Sequence, residues 1–256
     1  MAPSHPPLRP APGSDTPLPP DQRAAEVQTM FSRIVPRYDL MNRLMTGGMD
    51  GRWRRRTVRE ALVDADPRGG IVLDLGTGTG DLARDLRAAG VAQVIASDFA
   101  RPMLVAGRGK PGLAADSGVT WLLSDALHLP FADDSFDAVT SGFLLRNLVD
   151  LPAALAEMMR VLRPAGRMVA LDMTHPPPGL LGQVTRFGVE RLVTPVAGWL
   201  SGSRAAYRYL PQSLEGHPAA DAIVDLLRAT GFTDARYERM GMGSVALHVA
   251  RKPSDA

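Results

Sequence analysis

The 256-residue chain has no cysteine, few aromatic residues and no long uncharged apolar run. The lack of cysteine excludes disulfides, thiolate metal ligands and cysteine nucleophiles, and it fits a reducing cytoplasm. The longest apolar candidate, residues 180–200, carries Arg186, Glu190 and Arg191, so it falls short of the roughly 20 nearly uncharged residues of a membrane span. The small net charge of +2 predicts no general attraction to nucleic acid.

Proline content and apolar patterning divide the chain into two parts. Residues 1–20 hold eight prolines, which disfavour a helix, and we expect a disordered proline-rich tail there. Residues 21–256 have the pattern of a single folded domain, with helices before residue 70 and an insert at about 177–213.

Short apolar runs alternating with helical patterns predict an α/β domain. The predicted strands cover residues 71–75, 91–97, 119–123, 136–141, 167–172, 233–239 and 244–250. Helices are predicted over 82–89, 152–162 and 219–229, and residues 163–166 are expected to stop the second of these. The alternation favours a doubly wound, mostly parallel sheet, and a hairpin at 240–243 makes the C-terminal strand antiparallel.

A glycine-rich loop, Asp74–Asp81, directly follows the first predicted strand. Glycines at 76, 78 and 80 allow a tight turn and a close approach of a ligand to the backbone, at the strand end where such sheets bind ligands. Asp81 stands where a dinucleotide fingerprint needs its third glycine, and the Gly-Lys-Ser/Thr end of a phosphate-binding loop is missing. Nicotinamide, flavin and nucleoside triphosphate ligands are therefore disfavoured.

Carboxylates follow the next two predicted strands. Asp98 is placed to accept hydrogen bonds from two ribose hydroxyls, and Asp125 to accept an adenine amino proton. An anionic rim without a phosphate cradle favours a cationic nucleoside, S-adenosylmethionine. Each feature alone also has a structural interpretation, as a plain strand-to-helix turn or a helix cap. The expected contacts with this ligand are Asp74, Gly76, Gly78, Thr79, Gly80, Asp98, Phe99, Asp125 and Ala126.

Four segments outside this loop carry a family resemblance. They are residues 30–42 with Trp53, residues 129–137, residues 145–147 and residues 207–213, and the tail 245–248 agrees with them. Over about residues 25–252 the chain resembles the ubiquinone/menaquinone biosynthesis C-methyltransferases of the UbiE/MenG type. The resemblance implies the Rossmann-like fold of class I S-adenosylmethionine-dependent methyltransferases. The chain departs from the family pattern at Asp50, Gly142, Leu144, Ala165 and Asp172.

The resemblance implies methyl transfer to a ring carbon of a lipid-soluble quinol, with demethylmenaquinol as the expected acceptor. Such chemistry needs positioning and one base, and no metal. Arg146 is expected to stabilise a phenolate, and Asn147 to hold the other ring oxygen. Tyr207 is a third candidate on the acceptor side. Tyr38 is expected to close over the methionine end of the cofactor, and Ser141 lies next to the position of the family's cofactor-contacting serine.

Purely structural alternatives for the acceptor-side residues stay open. Arg146 has an alternative role as the ion-pair partner of a neighbouring acid, Asn147 as a helix cap and Tyr207 as a packing residue of the insert. His248 is expected to be structural. The apolar positions of residues 180–196 suggest core packing or an entrance that touches the inner face of a membrane. The basic stretch 52–56 suggests either a solvated helix face or contact with anionic lipid.

Three other functions compete with methylation of a naphthoquinol ring. They are methylation of a ubiquinone-precursor benzoquinol or of another small molecule at oxygen or nitrogen, cofactor binding without turnover, and methylation of RNA. The last is the weakest, because no basic and aromatic surface pattern for stacking bases is present. The sequence leaves the oligomeric state open.

Overall fold

The computed structural model describes residues 35, 38–63, 69–114, 117–177, 179, 214 and 216–254. The predicted tail at 1–20 and nearly all of the insert at 177–213 lie outside these residues. The strands are β1 (Ile71–Leu75), β2 (Gln93–Asp98), β3 (Val119–Leu123), β4 (Phe136–Gly142), β5 (Leu162–Met173), β6 (Thr233–Met240) and β7 (Val245–Arg251). The helices are α1 (Tyr38–Met45), α2 (Asp50–Ala61), α3 (Asp81–Ala88), α4 (Arg101–Arg108), α5 (Leu151–Val161) and α6 (Ala220–Ala229), and two 3-10 turns cover Leu145–Asn147 and Gly241–Gly243.

The seven described strands form one sheet in the order β3-β2-β1-β4-β5-β7-β6. Strands β1 to β5 pair in parallel, whereas β7 runs antiparallel to both β5 and β6. This confirms the predicted α/β class, the mostly parallel sheet and its antiparallel C-terminal strand. Strands β2 and β3 lie on one side of β1, and β4 and β5 lie on the other, so the strand order reverses between β1 and β4. Open α/β sheets bind ligands at such a reversal, beyond the carboxyl ends of the strands.

Apolar side chains are buried on both faces of the sheet. One buried cluster includes Leu155 and Met158 of α5 with Ile223 of α6, and the other includes Trp53 of α2 with Leu86 of α3. Burial on both faces explains why the central strands are apolar runs without a polar alternation. The result is a rigid platform whose strand ends carry the polar residues described below.

The end of α3 corrects the predicted start of the second strand. The N–H of Gly90 donates to the Arg87 carbonyl at 3.0 Å, and the N–H of Val91 donates to the Leu86 carbonyl at 3.3 Å. Gly90 has a φ of 96°, so the helix ends in a Schellman motif. Val91 is buried as part of this cap, and β2 begins two residues later, at Gln93.

Helix α5 begins as predicted, but the strand after it begins earlier than expected. The Asp150 side chain accepts a hydrogen bond from the N–H of Ala153 at 3.0 Å, and Pro152 lies in the first turn. The helix ends at Val161, and β5 starts at once at Leu162, which pairs with Phe136. The helix therefore ends just before the predicted stop at 163–166. These residues form an irregularity within β5, because the register with β4 shifts between Phe136 and Ala138.

Candidate functional site

The glycine-rich loop leaves the carboxyl end of β1 with three glycines in the left-handed region. Gly76, Gly78 and Gly80 have φ values of 66°, 57° and 81°. A Cβ on Gly76 would lie 2.8 Å from Cδ1 of Leu144, and one on Gly80 would lie 2.5 Å from Cη2 of Trp121. Backbone geometry and close packing both require glycine at these two positions.

Asp98, at the end of β2, holds this loop in place. Its Oδ2 accepts a hydrogen bond from the N–H of Gly78 at 2.7 Å, and its Oδ1 accepts one from the N–H of Ala100 at 2.8 Å. Burial raises the pKa of the Asp98 carboxyl, although these backbone hydrogen bonds partly oppose that rise. Asp98 therefore connects the loops after β1 and β2, and its carboxylate borders the cleft described next.

An open cleft with about 890 Å³ of empty space lies beyond the carboxyl ends of β1, β2 and β4. Among the described residues that line it there is no lysine or arginine, and one wall is apolar, formed by Phe143, Leu144, Leu148 and others. The predicted site residues that line it are Gly76, Gly78, Asp98, Phe99, Asp125, Ala126 and Asn147.

Asp125 lies at the exposed rim of the cleft. Its side chain is 61% exposed, and Oδ1 accepts a hydrogen bond from the N–H of Leu127 at 2.9 Å. The carboxylate therefore stabilises the turn after β3 and retains free acceptor capacity toward solvent and the cleft.

A second, acidic recess adjoins the cleft and shares Gly76, Gly142 and Phe143 with it. It has about 530 Å³ of empty space. Its charged lining residues are Asp39, Asp50, Arg54, Asp74 and Asp81. Carboxylates outnumber the arginine, which favours a ligand group of positive charge.

Asp74 is fully buried at the base of this recess. Its carboxylate accepts hydrogen bonds from the hydroxyl of Thr77 at 2.5 Å and from the hydroxyl of Thr140 at 3.1 Å. Burial raises the pKa of Asp74 to about 7, and the two hydroxyl contacts oppose the rise. Asp74 thus joins β1, the glycine loop and β4.

Thr79 faces the recess and not the larger cleft. Its hydroxyl donates to Oδ1 of Asp39 at 2.6 Å and accepts from Nζ of Lys110 at 2.8 Å. Lys110 also pairs with Asp39 at 2.6 Å and with Asp81 at 2.9 Å. This network ties α1 to the glycine loop. No local sequence pattern connects residues as distant as Asp39 and Lys110, so this network could not be predicted.

Arg146 and Asn147 occupy the 3-10 turn after β4, with different exposures. The Arg146 guanidinium is buried and forms an ion pair with Asp172 of β5. It also lies 5.5 Å from the centre of the Phe143 ring. Asn147 lines the cleft, and its Nδ2 donates to the carbonyl of Phe143 at 3.0 Å. The ion-pair interpretation of Arg146 therefore has a structural partner, whereas Asn147 borders the cleft.

The remaining predicted residues lie elsewhere. Ser141 is 2% exposed and forms no part of the cleft lining. Gly80 serves the turn and the packing against Trp121. Tyr38 begins α1, and the structure describes its backbone only. Tyr207 lies outside the described residues.

The described residues show neither a metal-binding cluster nor a membrane-spanning helix. No three or more histidine, aspartate or glutamate side chains are placed to hold a metal ion in this part of the chain. None of the helices within it is both long enough and apolar enough to cross a membrane.

Comparison with protein families identifies the relatives of this chain. Residues 20–252 match the model of the ubiE/COQ5 methyltransferase family. The chain belongs to this family. Its membership confirms the resemblance found in the sequence and the assignment as a methyltransferase of this class.

Curated relatives agree with the family assignment along most of the chain. A demethylmenaquinone methyltransferase from Thermus thermophilus is 49% identical over 226 residues, which is 88% of this chain and all of the relative. A ubiquinone/menaquinone biosynthesis C-methyltransferase UbiE from Desulfotalea psychrophila is 42% identical, covering 87% of this chain and 88% of the relative.

Solved structures support the fold. The [4+2]-cyclase SpnF superposes with a TM-score of 0.67 at 19% identity, covering 94% of this chain and 99% of that one. A phosphoethanolamine N-methyltransferase from Haemonchus contortus, in complex with S-adenosyl-L-methionine, gives 0.58 at 18% identity over 77% of this chain and 52% of that one. The expected class I methyltransferase fold is confirmed. These neighbours catalyse different reactions, so the fold leaves the acceptor open.

Proposed function

We propose that the protein transfers a methyl group from S-adenosylmethionine to a ring carbon of a demethylmenaquinol, in menaquinone biosynthesis. The observation that carries this proposal is a single cleft that is polar at the Gly78–Asp98 end and apolar at the Phe143–Leu144 end. A nucleoside suits the first end and a lipid-soluble ring suits the second. The names of the relatives, which are methyltransferases of menaquinone and ubiquinone biosynthesis, agree with this substrate class.

The lining of the cleft fits S-adenosylmethionine better than a dinucleotide. No lysine or arginine among the described lining residues is available to neutralise a pyrophosphate, whereas the adjoining acidic recess suits a sulfonium and an ammonium group. Asp98 would accept the ribose hydroxyls, and Asp125 with Ala126 would meet the adenine. When bound, this cofactor supplies an electrophilic methyl group. The protein has to place the acceptor carbon in line with it.

The acceptor side has to make a ring carbon nucleophilic. Asn147 lines the apolar end of the cleft, and we assign it to holding a ring oxygen. Arg146 lies one residue earlier and is paired with Asp172, so it would stabilise developing negative charge on the other oxygen through its remaining N–H groups. Tyr207 is assigned to the same side by the family resemblance.

A lipid-soluble acceptor has to reach the protein from a bilayer. We propose peripheral contact with the inner face of the membrane through the insert at about 177–213, with the rest of the protein in the cytoplasm. Co-sedimentation with anionic vesicles, with and without residues 178–200, tests this contact. Equal binding by both proteins would contradict it.

The reaction is tested by incubating the purified protein with methyl-labelled S-adenosylmethionine and a demethylmenaquinol. The expected product carries the label on a ring carbon, which mass spectrometry and carbon NMR identify. A benzoquinol in a parallel reaction measures the preference between the two rings. An ether product, or cofactor binding without transfer to either quinol, would contradict the proposal.

A further inference from the structure

Helix α1 borders the acidic recess through its polar side chains. Asp39 and Asn42 both line the recess, and they stand three residues apart, so they share one face of the helix. Leu40 points away from the protein and is 58% exposed. Among the side chains of α1 that the structure describes, none belongs to either buried apolar cluster of the sheet. These side chains therefore hold α1 in place by polar contacts.

The first turn of α1 is joined to the glycine-rich loop by a group of four residues that we call the latch: Asp39, Thr79, Asp81 and Lys110. Nζ of Lys110 lies 2.6 Å from Oδ2 of Asp39 and 2.9 Å from Oδ1 of Asp81. It also donates to the Thr79 hydroxyl at 2.8 Å, and that hydroxyl donates to Oδ1 of Asp39 at 2.6 Å. Because Asp39 and Asp81 carry the same charge, Lys110 is what holds them together.

The opposite end of α1 carries two glycines in the left-handed region. Gly47 and Gly48 have φ values of 58° and 75°, and a Cβ on either would have no described atom within 4 Å. Just before them, the hydroxyl of Thr46 donates to Oδ1 of Asp50 at 3.2 Å, at the start of α2. Since α2 packs on the sheet through the buried Trp53, this end of α1 is anchored, and the glycine pair is the natural pivot between the two helices.

We propose that α1 is a lid on the acidic recess, which turns about Gly47 and Gly48 and is kept closed by the latch. This inference rests on the proposed S-adenosylmethionine site, because the charged end of that ligand would lie in the recess, between α1 and the glycine-rich loop. Opening of the latch then sets the rates at which the cofactor enters and the demethylated product leaves.

Replacing Lys110 with methionine removes the cation of the latch and leaves every described residue that lines the recess in place. In Lys110→Met, the rate constants for binding and release of S-adenosylhomocysteine, kon and koff, should both rise by about 3- to 30-fold, as expected for a charge-assisted contact partly exposed to solvent. The Kd should change less than either rate constant. Loss of a direct ligand contact predicts a different pattern, in which koff rises, kon stays the same and the Kd follows koff.

Stopped-flow tryptophan fluorescence measures both rate constants. S-adenosylhomocysteine is the suitable probe because its ammonium and carboxylate groups cancel, so the loss of one protein charge does not alter its electrostatic steering. If Lys110→Met does not fold, the unaltered protein still provides a test. Raising the sodium chloride concentration from about 0.05 to 0.5 M screens the latch and should raise both kon and koff. Unchanged rate constants would overturn the proposal.

Lys252→Met is the matched control. Nζ of Lys252 lies 2.8 Å from Oδ1 of Asp134, and these side chains are 11% and 49% exposed, close to the 17% and 44% of Lys110 and Asp39. Lys252 follows β7 and lines neither the cleft nor the recess. Both rate constants of this variant should stay within about twofold of wild type. An equal rise in Lys252→Met and Lys110→Met would assign the effect to general loosening and overturn the lid.

The motion itself can be observed without a ligand. Because the chain has no cysteine, Leu40→Cys and Val105→Cys place two spin labels at unique sites, and the native side chains are 58% and 63% exposed. With a rise of 1.5 Å per residue, Leu40 lies about 10 Å from Gly47, so a rotation of about 30° moves it by roughly 5 Å. Double electron–electron resonance should show one main distance, and Lys110→Met should add a second.

The outcomes separate the lid from the site on which it rests. One unchanged distance in labelled Lys110→Met would overturn the lid, and so would a rise in koff without a rise in kon. Failure of the wild-type protein to bind S-adenosylhomocysteine would overturn the proposed cofactor site instead. The distances between the spin labels do not depend on a ligand, so the two failures are distinguishable.

Discussion

Replacing Asp98 gives the most direct test of the cofactor site, because this carboxylate has two separable tasks. It accepts the N–H groups of Gly78 and Ala100 at 2.7 and 2.8 Å, which shapes the loops after β1 and β2. It also borders the cleft, where it would meet the ribose. Asp98→Ala removes both tasks, whereas Asp98→Asn keeps one carbonyl acceptor and loses the negative charge.

The magnitudes follow from these contacts. Leaving two buried N–H groups without an acceptor costs about 1–3 kcal/mol each, so Asp98→Ala should lower the free energy of unfolding by roughly 2–6 kcal/mol. A loss of about 6 kcal/mol would remove much or all of the free energy of unfolding of an ordinary domain, which is about 5–15 kcal/mol. Asp98→Asn should lose less stability. Its loss of ribose contacts, about 1–3 kcal/mol, corresponds to a Kd for S-adenosylhomocysteine that rises by roughly 5- to 150-fold.

The assay combines calorimetry with S-adenosylhomocysteine and urea unfolding followed by circular dichroism. Asp125→Ala is the matched control, because its side chain is 61% exposed and accepts one backbone N–H. We expect the control to lose less affinity than Asp98→Asn and to keep its stability within about 0.5 kcal/mol of wild type. Wild-type affinity in a folded Asp98→Asn protein would refute the placement of the ribose at this carboxylate.

Three further predictions concern stability. The pKa of Asp74 is about 7 against an ordinary 3.8, so the folded protein holds this proton more tightly than the unfolded chain does. The contribution of Asp74 to the free energy of unfolding should therefore fall by on the order of 4 kcal/mol as the pH rises from 4 to 7. Urea unfolding of Asp74→Asn should lack this dependence on pH. Gly80→Ala should lower the free energy of unfolding by about 2–4 kcal/mol in the same assay, because a Cβ would meet Trp121. Gly90→Ala, with open space around it, should cost only the backbone strain of about 1–2 kcal/mol. Equal losses in the two variants would contradict the packing argument. Lys110→Met should increase amide hydrogen exchange in α1, and unchanged exchange would show that the ion pair with Asp39 does not hold this helix.

The sequence predicted the sheet well because its signals are local. Each strand of the parallel core is an apolar run, and helices α3 and α6 end within one residue of their predicted ends, at Ala88 and Ala229. The errors occurred where tertiary contacts decide the boundary. Val91 is apolar and looks like part of a strand, yet it caps α3. Residues 163–166 were not expected in a strand, yet they lie within β5, where backbone hydrogen bonds join Ala165 and Gly166 to residues just after β7.

The same distinction between local signals and tertiary contacts applies to the candidate site. The loop glycines and Asp98 could be found from the sequence because each directly follows a strand. The pairing of Arg146 with Asp172 could not, since 26 residues separate them and several acids were possible partners.

The distribution of charge in this cleft bears on its ligand more directly than the fold does. A [4+2]-cyclase shares the fold with a TM-score of 0.67, so the sheet itself does not decide the chemistry. In this chain Lys110 and Arg54 are engaged by carboxylates of the recess, and no cation among the described residues lines the cleft. A cationic donor is therefore favoured at one end, and under the proposed function the buried Arg146 is the candidate cation for stabilising charge on the acceptor. Its pairing with Asp172 leaves that guanidinium little freedom to move, so under the proposed function the acceptor ring has to be brought to the guanidinium.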